Sequence, residues 1–414
     1  MAQRKMDIDY VRRQFPALEQ DFVFMDNAGG SQVLRRVIER ISGYLVHHNV
    51  QLGASYKVSA EAGEKLAYAT TQIGKFINTA RSEEVVIGPS STMLLRILSL
   101  CISRQWKEGD EVIVTNTDHE ANVSCWTDLQ EKGIKVRIWK ANPDTLELEL
   151  KDLKKLLNKN TKLVAVTHAS NILGSINPIK EISREVHKAG ALICVDGVAY
   201  APHRPVNVRE LDADFYVFSW YKTYGPHLAV MYGKYNLLYK MDGINHYFFQ
   251  KKDVPYKFQP GNLNFELTYS LLGIAEYYQD FYKHHFPKQP TNDIRERTSR
   301  NFEMIAQYEE ELSAPLLDYL RTHEKIRIIG HPYADRSKRV PTISFIHDDL
   351  KSNEIVEQVD EHRIGIRFGD FYAKKLIKDA GLEEKNGVVR VSLVHYNTRQ
   401  EVQRLLGIFK KILD

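Results

Sequence analysis

A chain of 414 residues exceeds the usual size of one domain, so one large and one smaller unit are expected. Its 57 Lys and Arg nearly balance 53 Asp and Glu, which gives no reason to invoke nucleic acid, and no apolar run approaches the roughly 20 residues of a membrane span. Three cysteines without paired spacing argue against a disulfide framework or a zinc site, and no metal is expected.

Residues 1–9 lack an apolar signal core and carry acids early, which predicts a cytoplasmic location. The chain up to about Phe15 reads as a helix within an N-terminal segment, residues 1–20, expected to pack with the smaller unit. An extended strand follows over residues 22–26, and from there to about Tyr282 strands alternate with helical segments such as 179–187. That alternation implies crossovers and a mainly parallel sheet, so residues 21–285 are assigned to a large α/β unit. Within it, residues 151–162 place lysines between leucines at helical intervals and read as a solvated helix face.

Five strand ends in this region carry polar groups. Residues 85–96 read as strand, tight turn and helix start, with Ser90, Ser91 and Thr92 where helix amides are unpaired and bind phosphate well; an N-cap alone needs only one of these hydroxyls. The strand 111–115 leads to Asp118 and His119, and a histidine just past a strand end can lie flat on an aromatic ligand or simply sit in a core. The strand 163–167 leads to His168 and then Asn171, an amide that could bond a phenolic oxygen. The apolar run 191–195 ends on Asp196, and the strand 215–219 ends on Ser219 and delivers Lys222 three residues later. Ligands of open α/β sheets bind outside the carboxyl ends of strands. A lysine amine and a carboxylate at neighbouring strand ends are what pyridoxal 5'-phosphate (PLP) requires: the amine forms a Schiff base, and the acid keeps the pyridine nitrogen protonated.

Beyond the large unit, a polar stretch at 284–292 precedes a long helix over 295–320. Strands are expected at 326–329, 342–346, 365–367 and 388–393. Residues 286–414 thus read as a smaller α+β unit. There is no internal repeat and no low-complexity segment.

In this order, Asp26 to Gly29, Ser90 to Thr92, Asp118-His119, Ser170 to Gly174, Val195 to Gly197, Ser219 to Pro226, Gly261-Asn262, Val389 to Ser392 and Tyr396 to Thr398 resemble the class V branch of the fold-type I PLP enzymes. Within that branch the chain is similar to the cysteine desulfurase-like group along nearly its whole length. The resemblance implies an α/β fold-type I transferase, with a mainly parallel seven-stranded sheet between helices and a smaller C-terminal α+β domain. It implies Lys222 as the Schiff-base lysine, Asp196 as partner of the pyridine nitrogen and His119 as the ring stacked on the cofactor. Ser90, Ser91 and Ser219 would hold the phosphate with Thr92 nearby, Tyr221 stands where many relatives place a histidine, and Asn171 would lie beside the phenolic oxygen. Arg390 would clamp the substrate α-carboxylate, with Arg367 and Asn27 also on the substrate; apart from the resemblance, Arg390 reads equally as a solvated strand arginine. Active sites of this class are usually built at a homodimer interface, where Asn262 would reach the partner's phosphate.

Two departures from the desulfurase pattern bear on the reaction. Tyr372, in the stretch Arg367 to Ala373, stands where a desulfurase carries its nucleophilic cysteine, and Ala199 stands where a glutamine is common. Cys101 and Cys194 read as core, whereas Cys125, close to His119 in sequence, stays open as a thiol near the site. The expectation is a PLP-dependent enzyme acting on a small amino acid, a lyase or a carbon–carbon-bond-forming enzyme of elimination, decarboxylative or aldol type, and not a persulfide-forming desulfurase. An aminotransferase or epimerase is the first alternative, and cysteine desulfurase or cysteine lyase activity without the loop cysteine the second. Tyr372 over the substrate could gate access or move a proton, and the aromatic residues around it could form a side-chain pocket or packing and dimer contacts.

Overall fold

The computed structural model describes residues 5–413, so the first four residues of the expected N-terminal segment lie outside the described residues. Along the chain the strands are β1 (Val23–Phe24), β2 (Val85–Gly88), β3 (Glu111–Thr115), β4 (Lys135–Trp139), β5 (Thr161–Thr167), β6 (Leu192–Asp196), β7 (Phe215–Ser219), β8 (Ala229–Gly233), β9 (Ile326–Ile329), β10 (Thr342–His347), β11 (Ile364–Gly365), β12 (Arg367–Gly369) and β13 (Val388–Ser392). Seven of them form one sheet in the order β2-β8-β7-β6-β5-β3-β4. All its neighbours run parallel except β8, which is antiparallel to both β7 and β2.

A parallel sheet covered on both faces demands apolar residues at every position, and the strand sequences comply. Ile113, Val164, Val166, Ile193, Val195, Tyr216 and Phe218 pack into one core, while Val112, Val114, Leu163, Ala165, Cys194, Phe215 and Val217 pack into the other. Successive residues of a strand therefore serve opposite cores, as the two-residue repeat requires. Polar residues gather where this burial ends, at Thr115, Thr167, Asp196 and Ser219, the carboxyl ends of four neighbouring strands.

The second sheet, β12-β13-β10-β9, is antiparallel and packs against a third core. Val23 and Met25 belong to that core, and β1 pairs in parallel with β11, although Val11 and Phe15 before it pack in a core of the large sheet. The long helix Ile294–Thr322 joins the two: Phe302 and Ile305 pack in a core of the large sheet, and Leu312, Leu316 and Leu320 in the C-terminal core. At the N-terminus, Arg12 donates to the Tyr396 carbonyl and pairs with Glu401, both at 2.8 Å, while Tyr10 stacks on His284.

The expected lysine-rich helix at 151–162 is shorter, covering Leu150–Leu156, because Thr161 already opens β5. The expected strand at 365–367 resolves into two pieces, β11 and β12, that serve different sheets. No described helix is long and apolar enough to cross a membrane.

Candidate active site

A cleft at the carboxyl edge of the large sheet is lined by Ser91, Thr92, His119, Thr167, Asn171, Asp196, Ala199, Tyr221 and Lys222. Lys222 closes a short turn, Trp220–Lys222, directly after β7, and Asp196 is the last residue of β6 beside it. Asp196 accepts from the Val198 amide at 2.9 Å, and burial raises its proton affinity. The following residue must be small, because a Cβ on Gly197 would lie 2.1 Å from the Tyr216 ring. Burial and the Arg390 charge, only partly offset by Asp196, bring the Lys222 amine down to about 8. A lysine so adjusted has a far larger neutral, nucleophilic fraction near neutral pH than an ordinary lysine, though most of it stays protonated.

His119 is held neutral: burial, Lys222 and Arg390 bring its pKa down to about 4. Its Nδ1 accepts from the Ala121 amide at 3.1 Å, which leaves the proton on Nε2. Ser91 and Ser219 hydroxyls meet at 2.9 Å at the start of the helix Ser91–Ile102. Ser90 is the N-cap of that helix and accepts from the Met93 amide, so its hydroxyl is already engaged, while Ser91 and Thr92 face the cleft. Tyr221 lies between Lys222, whose amine is 5.7 Å from its ring, and His227, stacked on it at 5.0 Å.

From the C-terminal unit, Arg390 on β13 is almost fully buried and donates to Asp26 at 2.8 Å and to the Asn171 carbonyl at 3.1 Å. Its Nε is buried without an acceptor, and the Phe371 ring covers the guanidinium at 3.6 Å. Arg367 is exposed and sits 3.8 Å from the same Asp26. The segment after β12 carries two consecutive residues with positive φ, Phe371 at 49° and Tyr372 at 60°. It is fastened by hydrogen bonds from the Asn171 side chain to the Phe371 carbonyl, 2.9 Å, and from the Glu120 amide to the Tyr372 carbonyl, 2.7 Å. The exposed Tyr372 ring then lies 5.3 Å from that of His119. Gly174, at φ 70°, lets the 170–174 turn approach the second sheet, where a Cβ would meet the Thr342 carbonyl at 2.4 Å.

Two expectations change. Asn27, expected to touch substrate, is buried and bonded to the carbonyls of Phe24 and Ser392 and to Asn397, while Tyr396 donates to its oxygen; both amide hydrogens and the oxygen serve the fold. Cys125, left open as a thiol near the site, is buried in the core with Cys101 and Cys194, and burial pushes its thiol pKa up, so no thiolate forms there. Asn262 lies outside the cleft, exposed and bonded to Gln51. Asp26, as the acid facing Arg390, and Asp118, as a buried acid behind the cleft, had no visible role in the sequence; only their places at strand ends hinted at one.

The donor set fits PLP. A lysine with a lowered pKa stands beside a buried acid, hydroxyls sit at a helix start, and a buried guanidinium keeps one donor unpaired. The arrangement defines an α/β enzyme site of the PLP kind. The chain matches the aminotransferase class-V family over residues 23–405 and belongs to it; it is a PLP-dependent enzyme. It is 40% identical to an aminotransferase-like protein of Gibberella zeae over the whole of both chains. It is 35% identical to a cysteine desulfurase-like protein of Aspergillus flavus, covering 99% of this chain and 91% of that one. Its fold matches a cysteine desulfurase from Thermococcus onnurineus with a TM-score of 0.85 at 24% identity, covering 100% of this chain and 99% of the other.

Proposed function

We propose that the enzyme is a lyase or carbon–carbon-bond-forming enzyme acting on a small amino acid, by elimination, decarboxylation or aldol-type addition, and not a persulfide-forming desulfurase. The observation that carries this reading is the loop over the cleft: Tyr372 presents a phenol beside His119, while all three cysteines are buried in the core.

Lys222 and Asp196 would hold the cofactor at its reactive and ring-nitrogen ends, Ser91, Ser219 and Thr92 would take its phosphate with Ser90 and Tyr221 close by, and His119 and Asn171 would lie against its ring. When bound, PLP supplies an electron sink that labilises bonds at the α-carbon of an amino acid. Arg390 receives the substrate α-carboxylate through its unpaired Nε and so fixes the orientation of the α-carbon bonds. Arg367, beside Asp26 at the mouth, supports that binding. Lys222, with its pKa near 8, moves a proton at the α-carbon at neutral pH. Tyr372 closes the cleft from the C-terminal unit and excludes water.

The same reading places residues 21–285 as the cofactor-binding unit and 286–414 as the unit that carries the lid. It also takes the enzyme as a cytoplasmic homodimer in which Asn262 serves the partner's site.

Incubating the enzyme with small amino acids, with and without an aldehyde, and resolving the products by mass spectrometry tests the proposal. Loss of a side-chain group, or a new product that joins amino acid and aldehyde, is expected. Stoichiometric exchange of an amino group with a keto acid, simple inversion of the α-carbon, or persulfide formation from cysteine would overturn it.

A further inference from the structure

Asp118 is a buried carboxylate that the proposed chemistry does not use. It directly follows the threonine-rich end of β3 and accepts three hydrogen bonds: from the Thr115 hydroxyl, from the Asn122 side chain at 2.6 Å and from the Thr167 amide at 3.0 Å. The last of these lies beyond the registered part of the β3–β5 pairing. The registered pairing of β3 with β5 ends at Ile113 and Val164, whereas β5 continues to pair with β6 as far as Thr167 and Asp196. The carboxylate of Asp118, three residues beyond the end of β3, thus takes the Thr167 amide past the last registered pair of these two strands.

Thr167 in turn is tied to the acid under the cofactor. It pairs with Asp196 in the β5–β6 register, and its hydroxyl, which donates to the Ala169 carbonyl at 2.7 Å, lies 3.3 Å from the Asp196 carbonyl. His168, the next residue, donates its amide to the same carbonyl at 2.8 Å. On the other side, Asn122 belongs to the helix Ala121–Thr127 whose first amide orients His119. One carboxylate therefore links the strand end that carries Asp196 with the segment that carries His119.

We propose that Asp118 is a positioning residue for the cofactor's ring nitrogen, fixing Asp196 through Thr167 and placing a second negative charge behind it. This rests on the assignment of Asp196 to the ring nitrogen. The titratable groups that face Asp118 are Asp196 and Cys194, both on β6, and the Cys194 thiol stays neutral because burial raises its pKa. Burial brings the Asp118 carboxyl up to about 7 against the pull of its three donors, so its charge is present above that pH. A negative charge near a protonated nitrogen raises that nitrogen's proton affinity, and removing the charge lowers it.

The test compares Asp118→Asn, Asp196→Asn and the parent as purified holoenzymes, following the pH dependence of the bound cofactor's visible absorbance, the dissociation constant for PLP added to cofactor-free protein, and Tm. In Asp118→Asn the absorbance midpoint falls by about one pH unit and the PLP dissociation constant rises about tenfold. Should Asp118→Asn fold poorly, Thr115→Val keeps the acid but removes one donor that favours its charged form, and gives a smaller fall in the same direction. A midpoint that moves in Asp196→Asn and stays fixed in both other variants overturns the role of Asp118 alone. A midpoint fixed in all three overturns the assignment of Asp196 and this inference with it.

Discussion

The two walls of the cleft are built on different plans. On the wall formed by the seven-stranded sheet, Asp196, Ser219 and Lys222 end or directly follow strands buried on both faces. On the opposite wall, Arg390 is fixed within β13 between β10 and β12, but the Asp370 to Tyr372 segment covering it is a bend of two positive-φ residues held by a few side-chain and backbone bonds. The first plan suits groups that must hold a ring rigidly, and the second a cover that admits and retains different substrates. Under the proposed function, the difference lets the cofactor site stay fixed while the loop sets the reaction.

The largest expected effect lies on the rigid wall. Lys222→Ala should lower turnover by at least about 10³-fold, because both covalent attachment and proton movement are lost. Product formation measured by mass spectrometry checks this, and near-parental turnover would mean that the two walls do not divide the work as described. On the facing wall, Arg390→Lys keeps the charge but loses the planar fork, and KM for the amino acid should rise by one to two orders of magnitude with a smaller change in kcat. A fall in kcat alone would assign Arg390 to the chemistry and not to carboxylate binding.

A smaller effect is expected on the loop. Tyr372→Phe preserves the covering ring and removes only the phenol, so kcat should stay within about tenfold of the parent, while Tyr372→Ala should alter KM. A larger fall in kcat in Tyr372→Phe would give the phenol a proton-moving role instead.

The smallest effect is a stability change that follows from the lowered pKa of Lys222. Below about 8 both folded and unfolded chains hold that proton, and the folded protein bears the full cost of a buried ammonium. Between about 8 and the ordinary 10.5 the unfolded chain binds more protons, so stability rises with pH across that window. In cofactor-free protein Lys222→Met should therefore raise stability at pH 7 by on the order of 2 kcal/mol, and the gain should shrink as pH approaches 10.5. A pH-independent difference in Tm would contradict the shift.

Much of the rigid wall was legible in the sequence, and the reason is physical. Buried parallel strands read as short apolar runs, and a polar residue that ends such a run falls at the sheet edge, so Asp196, Ser219 and Lys222 announced themselves. Side-chain bookkeeping is not written in that pattern. Asn27 lies in a motif beside the site, yet its bonds run to residues more than 360 positions away, such as Ser392, and only folding shows that they consume it. Cys125 is close to His119 in sequence, but the short helix between them turns the thiol into the core. The bond from the Thr167 amide to Asp118, on which the proposed role of Asp118 rests, depends on a strand register that no local pattern specifies.

The most direct test of the site is borohydride reduction of the purified enzyme followed by peptide mapping. A pyridoxyl group attached at Lys222, and abolished in Lys222→Ala, is the expected result. Attachment at another lysine, or protein that takes up no PLP under conditions where it is folded, would contradict the assignment of the cleft at the carboxyl edge of the seven-stranded sheet.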